Sequence, residues 1–344
     1  MKIGFRGLLG IALSAALLVF ALRDVKLDVV WHELRASNPW WFLLATVLGT
    51  ATFPLRARRW RTILEPVAGP LPLGMLWRST AIGMMVNNVV PARAGELARA
   101  YALTREAPQV PFSASFASLA VDRLFDAVVV LLLLIVAMFD PTFPGDRVVL
   151  GRSVASWASV GAAGATVVLV GLYALVFFPG ALLRVFEASS RRVAPRLEKR
   201  GREILTSFTS GLGVLRHPGR FLAVLLWTLL HWLLNAVAMW CGFKAVGIAV
   251  PLSAALLVQG LVAIAVAVPA APGFFGLFEA VGKAALGLYG VAGAAAVSWA
   301  IGYHILTFIP ITLIGAYYFV SLGLHFRELG AAEREGAAPP EPVR

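Results

Sequence analysis

Two stretches of this chain, 74–104 and 251–288, are apolar enough to enter a membrane, yet each is broken in its middle by Pro and Gly. The first reads Asn87-Asn88-Val-Val-Pro91-Ala-Arg93-Ala-Gly95-Glu96-Leu-Ala-Arg99 across its break. The second reads Pro269-Ala-Ala-Pro272-Gly273-Phe274-Phe275-Gly276-Leu-Phe-Glu279. Pro removes a backbone donor and ends the helix before it, and Gly permits the sharp turn that follows. At membrane depth such a break survives only where protein or water satisfies the freed backbone groups. Charged and amide side chains there avoid lipid as well. The break at 87–99 is therefore the first candidate for a functional site.

Composition supports the membrane reading. Of 344 residues, 59% are hydrophobic and 14% charged, with mean hydropathy +0.81, where a soluble domain carries about a quarter charged residues. Long unbroken apolar runs, rather than alternating ones, argue against an outer-membrane barrel. The expected fold is an all-α polytopic membrane protein with about six full transmembrane helices and two re-entrant helical hairpins. Counted against the roughly 20 residues a span requires, the full helices fall at 4–22, 40–56, 112–139, 153–178, 219–245 and 291–322. Residues 1–326 form the membrane domain, and the Ala-, Glu- and Pro-rich tail 327–344 reads as disordered. The N-terminal run could pass for a signal peptide, but Arg23 and Asp24 stand where a small-residue cleavage site would be, so it reads as a retained helix.

The net charge of +12 is concentrated in a few loops. That is what the positive-inside rule and anionic headgroups produce, and it needs no nucleic acid partner. Lys2 and Arg6, the Arg56–Arg61 run and the basic amphipathic linker 181–217 are placed on the cytoplasmic side; loops 23–38 and 140–152 are placed outside. Both termini then lie in the cytoplasm. The first broken segment begins and ends inside, and the second begins and ends outside. Residues 40–139 and 219–322 thereby become two copies of one helix–hairpin–helix unit in opposite orientation, an inverted repeat of the kind that builds many secondary transporters. The single cysteine, Cys241, rules out an intramolecular disulfide and a cysteine metal site.

The charged groups suggest the chemistry. Arg93 and Arg99 can grip phosphate bidentately, half-helix N-termini attract anions, and Glu96 can pair with either arginine. Against this stands a plain cytoplasmic loop with a solvated Arg–Glu pair. On 112–139, Asp122 lies about 15 Å in from Ser113, near the midplane, one turn from Asp126 on the same face. Arg123 can pair with an acidic group on a neighbouring helix. These are either site residues, the preferred reading for Asp122 and Arg123, or ion pairs that hold the bundle, the preferred reading for Asp126. Glu279 is either a proton-titrating group or a structural cap, with Lys283 one turn on as a potential partner. His231, Asn235, Tyr303 and His304 are polar residues in apolar helices, of which His304, after the second break, points most to function. Trp31, Trp40, Trp41, Trp60 and Trp77 read as interfacial belt residues.

No P-loop, H-E-x-x-H, G-x-S-x-G or Cys–His cluster is present. An enzyme is not expected, nor is a cofactor.

Four motifs carry a family resemblance. Asn-Asn-x-x-Pro-x-Arg-x-Gly-Glu-x-x-Arg at 87–99 resembles the signature of the lysylphosphatidylglycerol synthase transmembrane-region family, also called the flippase-like domain family. Arg-x-x-Arg-Trp at 56–60 resembles its second-helix element, Asp-Arg-x-x-Asp at 122–126 its acidic-Arg-x-x-Asp element, and Pro-Gly-x-x-Gly-x-x-Glu at 272–279 its Pro-Gly-Gly-x-Gly-x-x-Glu motif. Phe274 and Phe275 depart from the small residues usual there and make that site bulkier. The resemblance implies lipid movement across the bilayer. The lysine-transferring activity of the best-known members resides in a fused soluble domain and does not carry over. Stand-alone members are tied to isoprenoid-linked sugars, hopanoids or glycolipids.

The expected function is therefore a stand-alone lipid flippase of the bacterial inner membrane that moves a phosphate-headgroup lipid without ATP. Asn87, Asn88, Arg93, Glu96, Arg99, Asp122, Arg123, Gly273, Glu279 and His304 form its candidate substrate site. The alternatives are an accessory subunit of a lipid-modifying or glycosyl-transferring enzyme, and an ion-coupled small-molecule transporter. The partners are membrane lipids, with the oligomeric state left open.

Overall fold

The computed structural model describes residues 5–90, 94–149, 151–178, 217–266 and 271–326. Arg93, Pro91, Pro269, the linker through 216 and the tail 327–344 lie outside the described residues. The described residues are helical almost throughout. In order come α1 (Phe5–Leu22), α2 (Leu27–Ala36), α3 (Pro39–Ala68), α4 (Leu73–Val89), α5 (Gly95–Glu106) and α6 (Phe112–Met138). A short antiparallel pair, β1 (Val148–Val149) and β2 (Arg152–Ser153), leads into α7 (Val154–Phe177). Then follow α8 (Pro218–Ala245), α9 (Leu252–Ala265), a 3-10 turn (Pro272–Phe274), α10 (Leu277–Leu288) and α11 (Gly293–Ser321).

In the first broken segment α-helix stops at Val89 and resumes at Gly95, and in the second it stops at Ala265 and resumes at Leu277. The first becomes α4 and α5, packed against each other. Their approach depends on two glycines: a Cβ on Gly83 would lie 2.7 Å from the carbonyl oxygen of Gly95 and 2.9 Å from the Cβ of Arg99. The second becomes α9 and α10, also in mutual contact, joined through a tip in which Gly273, Phe274 and Gly276 have φ of 65°, 61° and 83°. Only glycine enters that left-handed region without cost, so Phe274 is held there by its surroundings.

The packing crosses between the halves of the chain. α3 lies along α8, α4 against α11, and α9 against α6. α3 and α8 run antiparallel: the Asn38 amide donates to the Ala245 carbonyl at one end, and Arg59 reaches Thr228 toward the other. Asn38 also caps α3, its side-chain oxygen accepting from the Trp40 and Trp41 amides at 3.0 and 3.4 Å, with Pro39 opening the helix. The largest apolar core gathers α3, α6, α8, α9, α10 and α11 around Phe243, Trp299 and Tyr303.

One expectation is met in part and one needs correction. Among the described residues, two helices are both long and apolar enough to cross a membrane by length and composition, α8 and α11. About six were expected. α3 and α6 have the length, but each carries charged residues in its body. The correction concerns α3: the helix expected to end at 56 continues to Ala68. The arginines assigned to a cytoplasmic loop are helical, and two of them, Arg56 and Arg59, are buried.

Candidate functional site

Seven charged side chains from α3, α5 and α6 meet inside the bundle. Arg59 forms the centre, fully buried, with Nη1 at 2.6 Å from Asp126 Oδ1 and Nη2 at 2.6 Å from Asp122 Oδ1. Arg56, one turn earlier on α3, donates from Nη2 to Asp126 Oδ2 at 3.0 Å. Arg99 of α5 donates from Nη1 to Asp122 Oδ2 at 3.2 Å. Arg123 donates to Asp126 Oδ2 at 3.2 Å and pairs with Glu96 across the α5–α6 contact. α8 closes the site with the Trp232 indole N–H, which donates to Asp126 Oδ1 at 2.9 Å, and with Thr228, whose hydroxyl accepts from Arg59 at 3.2 Å.

The helix register explains the convergence. Arg56 and Arg59 are three apart on α3, Asp122 and Asp126 four apart on α6, and Glu96 and Arg99 three apart on α5, so each pair shares a helix face. Four guanidiniums oppose three carboxylates, leaving one net positive charge in a buried site. Burying ion pairs is weak evidence for stability, because desolvation offsets most of the attraction. Intramembrane charges that serve no packing need point instead to function.

Among the described residues, Nε of Arg56 and Nε of Arg59 lack a hydrogen-bond partner, but Arg59 Nη2 lies 2.6 Å from Asp122 Oδ1, so the wider open edge belongs to Arg99. It is 3% exposed, and its guanidinium lies 4.0 Å above the Trp60 ring. Among the described residues, its Nε and Nη2 have no hydrogen-bond partner. Those two nitrogens form the side-on edge that matches a carboxylate or phosphate bidentately. Arg123, with its side chain 44% exposed, is the outward rim of the same cluster.

The remaining first-break residues brace the turn. Asn87 accepts the Gly95 amide at 2.8 Å through its side-chain oxygen, and Asn88 donates to the Thr312 hydroxyl of α11 at 2.6 Å. Arg93 lies outside the described residues.

The second break assembles a separate group. Glu279, 2% exposed, accepts the Gly276 amide at 2.6 Å and contacts His304 Nδ1 at 2.7 Å. His304 Nε2 lies 2.8 Å from the Gly273 carbonyl oxygen. Gly273, Glu279 and His304 are thus brought together, apart from the arginine cluster. Lys283 does not pair with Glu279: its ammonium donates to the carbonyls of Ala21 and Arg23 at 2.9 and 2.7 Å, at the end of α1. His231 donates from Nδ1 to the Thr52 carbonyl at 3.1 Å, and Asn235 donates to Gln259 at 3.3 Å.

Sequence reasoning passed over Arg56, Arg59, Thr228 and Trp232 as site residues. The signal for the first two was present in Arg-x-x-Arg-Trp at 56–60, a spacing that puts both arginines on one helix face. Trp60 is not a belt residue; it is buried under Arg99 and donates to Ser118 at 2.8 Å.

A family model described as the lysylphosphatidylglycerol synthase TM region matches residues 7–315. The chain belongs to that family. Its relatives include two UPF0104 membrane proteins of Methanothermobacter thermautotrophicus. One is 26% identical over 83% of this chain and 84% of the relative. The other is 23% identical over 79% and 80%. A third relative, glycosyltransferase AglD of Haloferax volcanii, is 34% identical over 116 residues, 33% of this chain. The chain's match spans 18% of that protein's length. Membership in this membrane-protein family agrees with the apolar helices α8 and α11.

Proposed function

We propose that this protein moves a phosphate-headgroup lipid across the cell's inner membrane without ATP hydrolysis, acting as a transporter and not as an enzyme. The observation that carries the reading is the unpartnered Nε–Nη2 edge of buried Arg99, in a cluster with one net positive charge. A headgroup meets Arg123 at the rim first. It then passes to Arg99 as the Glu96–Arg123 pair opens, while the hydrocarbon chains stay in lipid. Asn87 and Asn88 hold the α4–α5 turn in place for that passage.

The architecture in this proposal is an inverted repeat of two re-entrant hairpins, α4–α5 and α9–α10, with both termini in the cytoplasm. Its support is the crossed packing: equivalent helices α3 and α8 lie antiparallel, and each hairpin's first half packs on the last helix of the other half. Broken helices at matching positions of two such halves mark a midplane substrate site.

The test is reconstitution. Proteoliposomes with headgroup-labelled lipids should show lipid movement that the empty vesicles lack, and native mass spectrometry should find a phosphate-bearing lipid retained by the purified protein. Vesicles indistinguishable from empty ones, together with a lipid-free protein, would overturn the reading.

The partial match to glycosyltransferase AglD favours a second reading, a membrane module that presents lipid to a glycosyl-transferring partner. Copurification of such an enzyme in fixed stoichiometry, with no lipid movement by the isolated protein, selects it.

A further inference from the structure

We propose that Glu279 and His304 form a proton-binding site, and that its single shared proton latches the tip of the α9–α10 segment. The inference does not depend on what Arg99 and Arg123 hold.

Hydrogen-bond roles lead to this conclusion. The Gly273 carbonyl oxygen can only accept, so His304 Nε2 carries a hydrogen and donates to it at 2.8 Å. The other ring nitrogen faces Glu279 Oε1 at 2.7 Å. That contact requires one proton between the two atoms: either a carboxylate facing an imidazolium, or a carboxylic acid facing a neutral imidazole. Both descriptions hold the same number of protons, and in both the pair is neutral. Removing the proton leaves a carboxylate against the imidazole lone pair. Phe275 stacks on the His304 ring at 4.4 Å and Phe278 lies 4.7 Å from it, and neither offers a replacement hydrogen bond.

Among the described residues no other charge contacts the pair; Glu33 of α2, which packs on α11, accepts from Ser298 instead. Lys283, one turn along α10, is held by the Ala21 and Arg23 carbonyls. Tyr303, next to His304, stacks its ring on Phe278. From Gly10 onward α1 has no charged residue, nor does α9. The one charge on α4, Arg78, is paired with Glu106. Arg56 and Arg59 of α3 are paired with Asp122 and Asp126. Among the described residues the shared proton is therefore the group's only local neutralisation.

The same two residues hold the tip. Glu279 fixes the Gly276 amide and His304 fixes the Gly273 carbonyl, on either side of Phe274 with its positive φ. The tip also rests on α1, where the Ala271 amide donates to Ser14, and on α4. When the proton leaves, the imidazole must turn from Glu279 or release Gly273, and residues 271–276 come free of α1 and α4. A proton taken up here thus holds residues 271–276 against α1 and α4, and its loss releases them.

The test uses the full chain in nanodiscs, with buried Cys241 replaced by Ser and Ala271→Cys as reporter for a water-soluble maleimide. Labelling is followed between about pH 5 and about pH 9 and divided by the rate in the same protein carrying Glu279→Gln. Gln preserves both hydrogen bonds and cannot lose the proton. The ratio should climb by up to about tenfold per pH unit and then level off, as release of one proton requires. A ratio flat with pH overturns the latch. A second measurement needs no variant: amide hydrogen exchange at 273–276, relative to amides in α8 of the same molecule, should speed up with pH. An unchanged relative rate overturns the proposal too. Neither readout involves lipid movement, so failure here leaves the headgroup reading untouched.

Discussion

Arg59 and Asp126, 67 residues apart in sequence, meet at 2.6 Å where α3 crosses α6. Asp126 is the most shared acceptor of the buried cluster, taking Arg56, Arg59, Arg123 and the Trp232 indole. Arg59 in turn bridges both aspartates of α6. The cluster behaves as one object, and removing its centre exposes that.

Arg59→Met strands two buried carboxylates with reduced compensation. Breaking a buried pair in this way costs about 3–5 kcal/mol. Thermal unfolding in detergent micelles should show a loss of that size, whereas a surface pair is worth about 0–1 kcal/mol. A loss within the surface range would contradict the burial of the cluster.

Gly83→Ala tests the α4–α5 contact. The added methyl meets backbone, the Gly95 carbonyl at 2.7 Å, which cannot move alone. Overpacking of this kind costs about 1–3 kcal/mol. Gly74→Ala on the same helix is the control: its methyl meets only the end of the Arg78 side chain at 3.5 Å. It should be neutral, or stabilising by up to about 1 kcal/mol through helix propensity. Equal effects of the two substitutions would argue against close approach of the half-helices.

How much of this was legible beforehand differs by element. The breaks at Pro91–Gly95 and Pro272–Gly276 could be read because Pro and Gly act locally. The identities of Arg99, Asp122, Arg123, Glu279 and His304 could be read because polar groups stand out in apolar sequence. The extension of α3 could not. An arginine run after an apolar stretch looks like a cytoplasmic flank, and only the distant carboxylates of α6 make Arg56 and Arg59 interior residues. For the same reason Asp126 looks less informative than Asp122, and the neighbour Glu279 stands as a potential partner of Lys283. Its actual partners, the carbonyls that end α1, lie about 260 residues earlier in the chain.

Lys283→Met tests that last contact. The ammonium serves carbonyls left open at the C-terminus of α1, where a cation is also favoured by the helix dipole. Its removal should raise amide exchange in the final turn of α1 and cost about 0.5–2 kcal/mol. Unchanged exchange there, with exchange in α10 altered instead, would point to a role within α10.

The central claim is that the free edge of Arg99 receives a phosphate. Arg99→Lys keeps a cation for Asp122 but removes the fork that binds bidentately. The decisive measurement is the rate of labelled phospholipid movement in proteoliposomes of this variant, at wild-type folding and density. The account predicts a drop of about tenfold or more, the equivalent of one charge-assisted hydrogen bond of about 1.5–3 kcal/mol. A rate equal to wild type would contradict it.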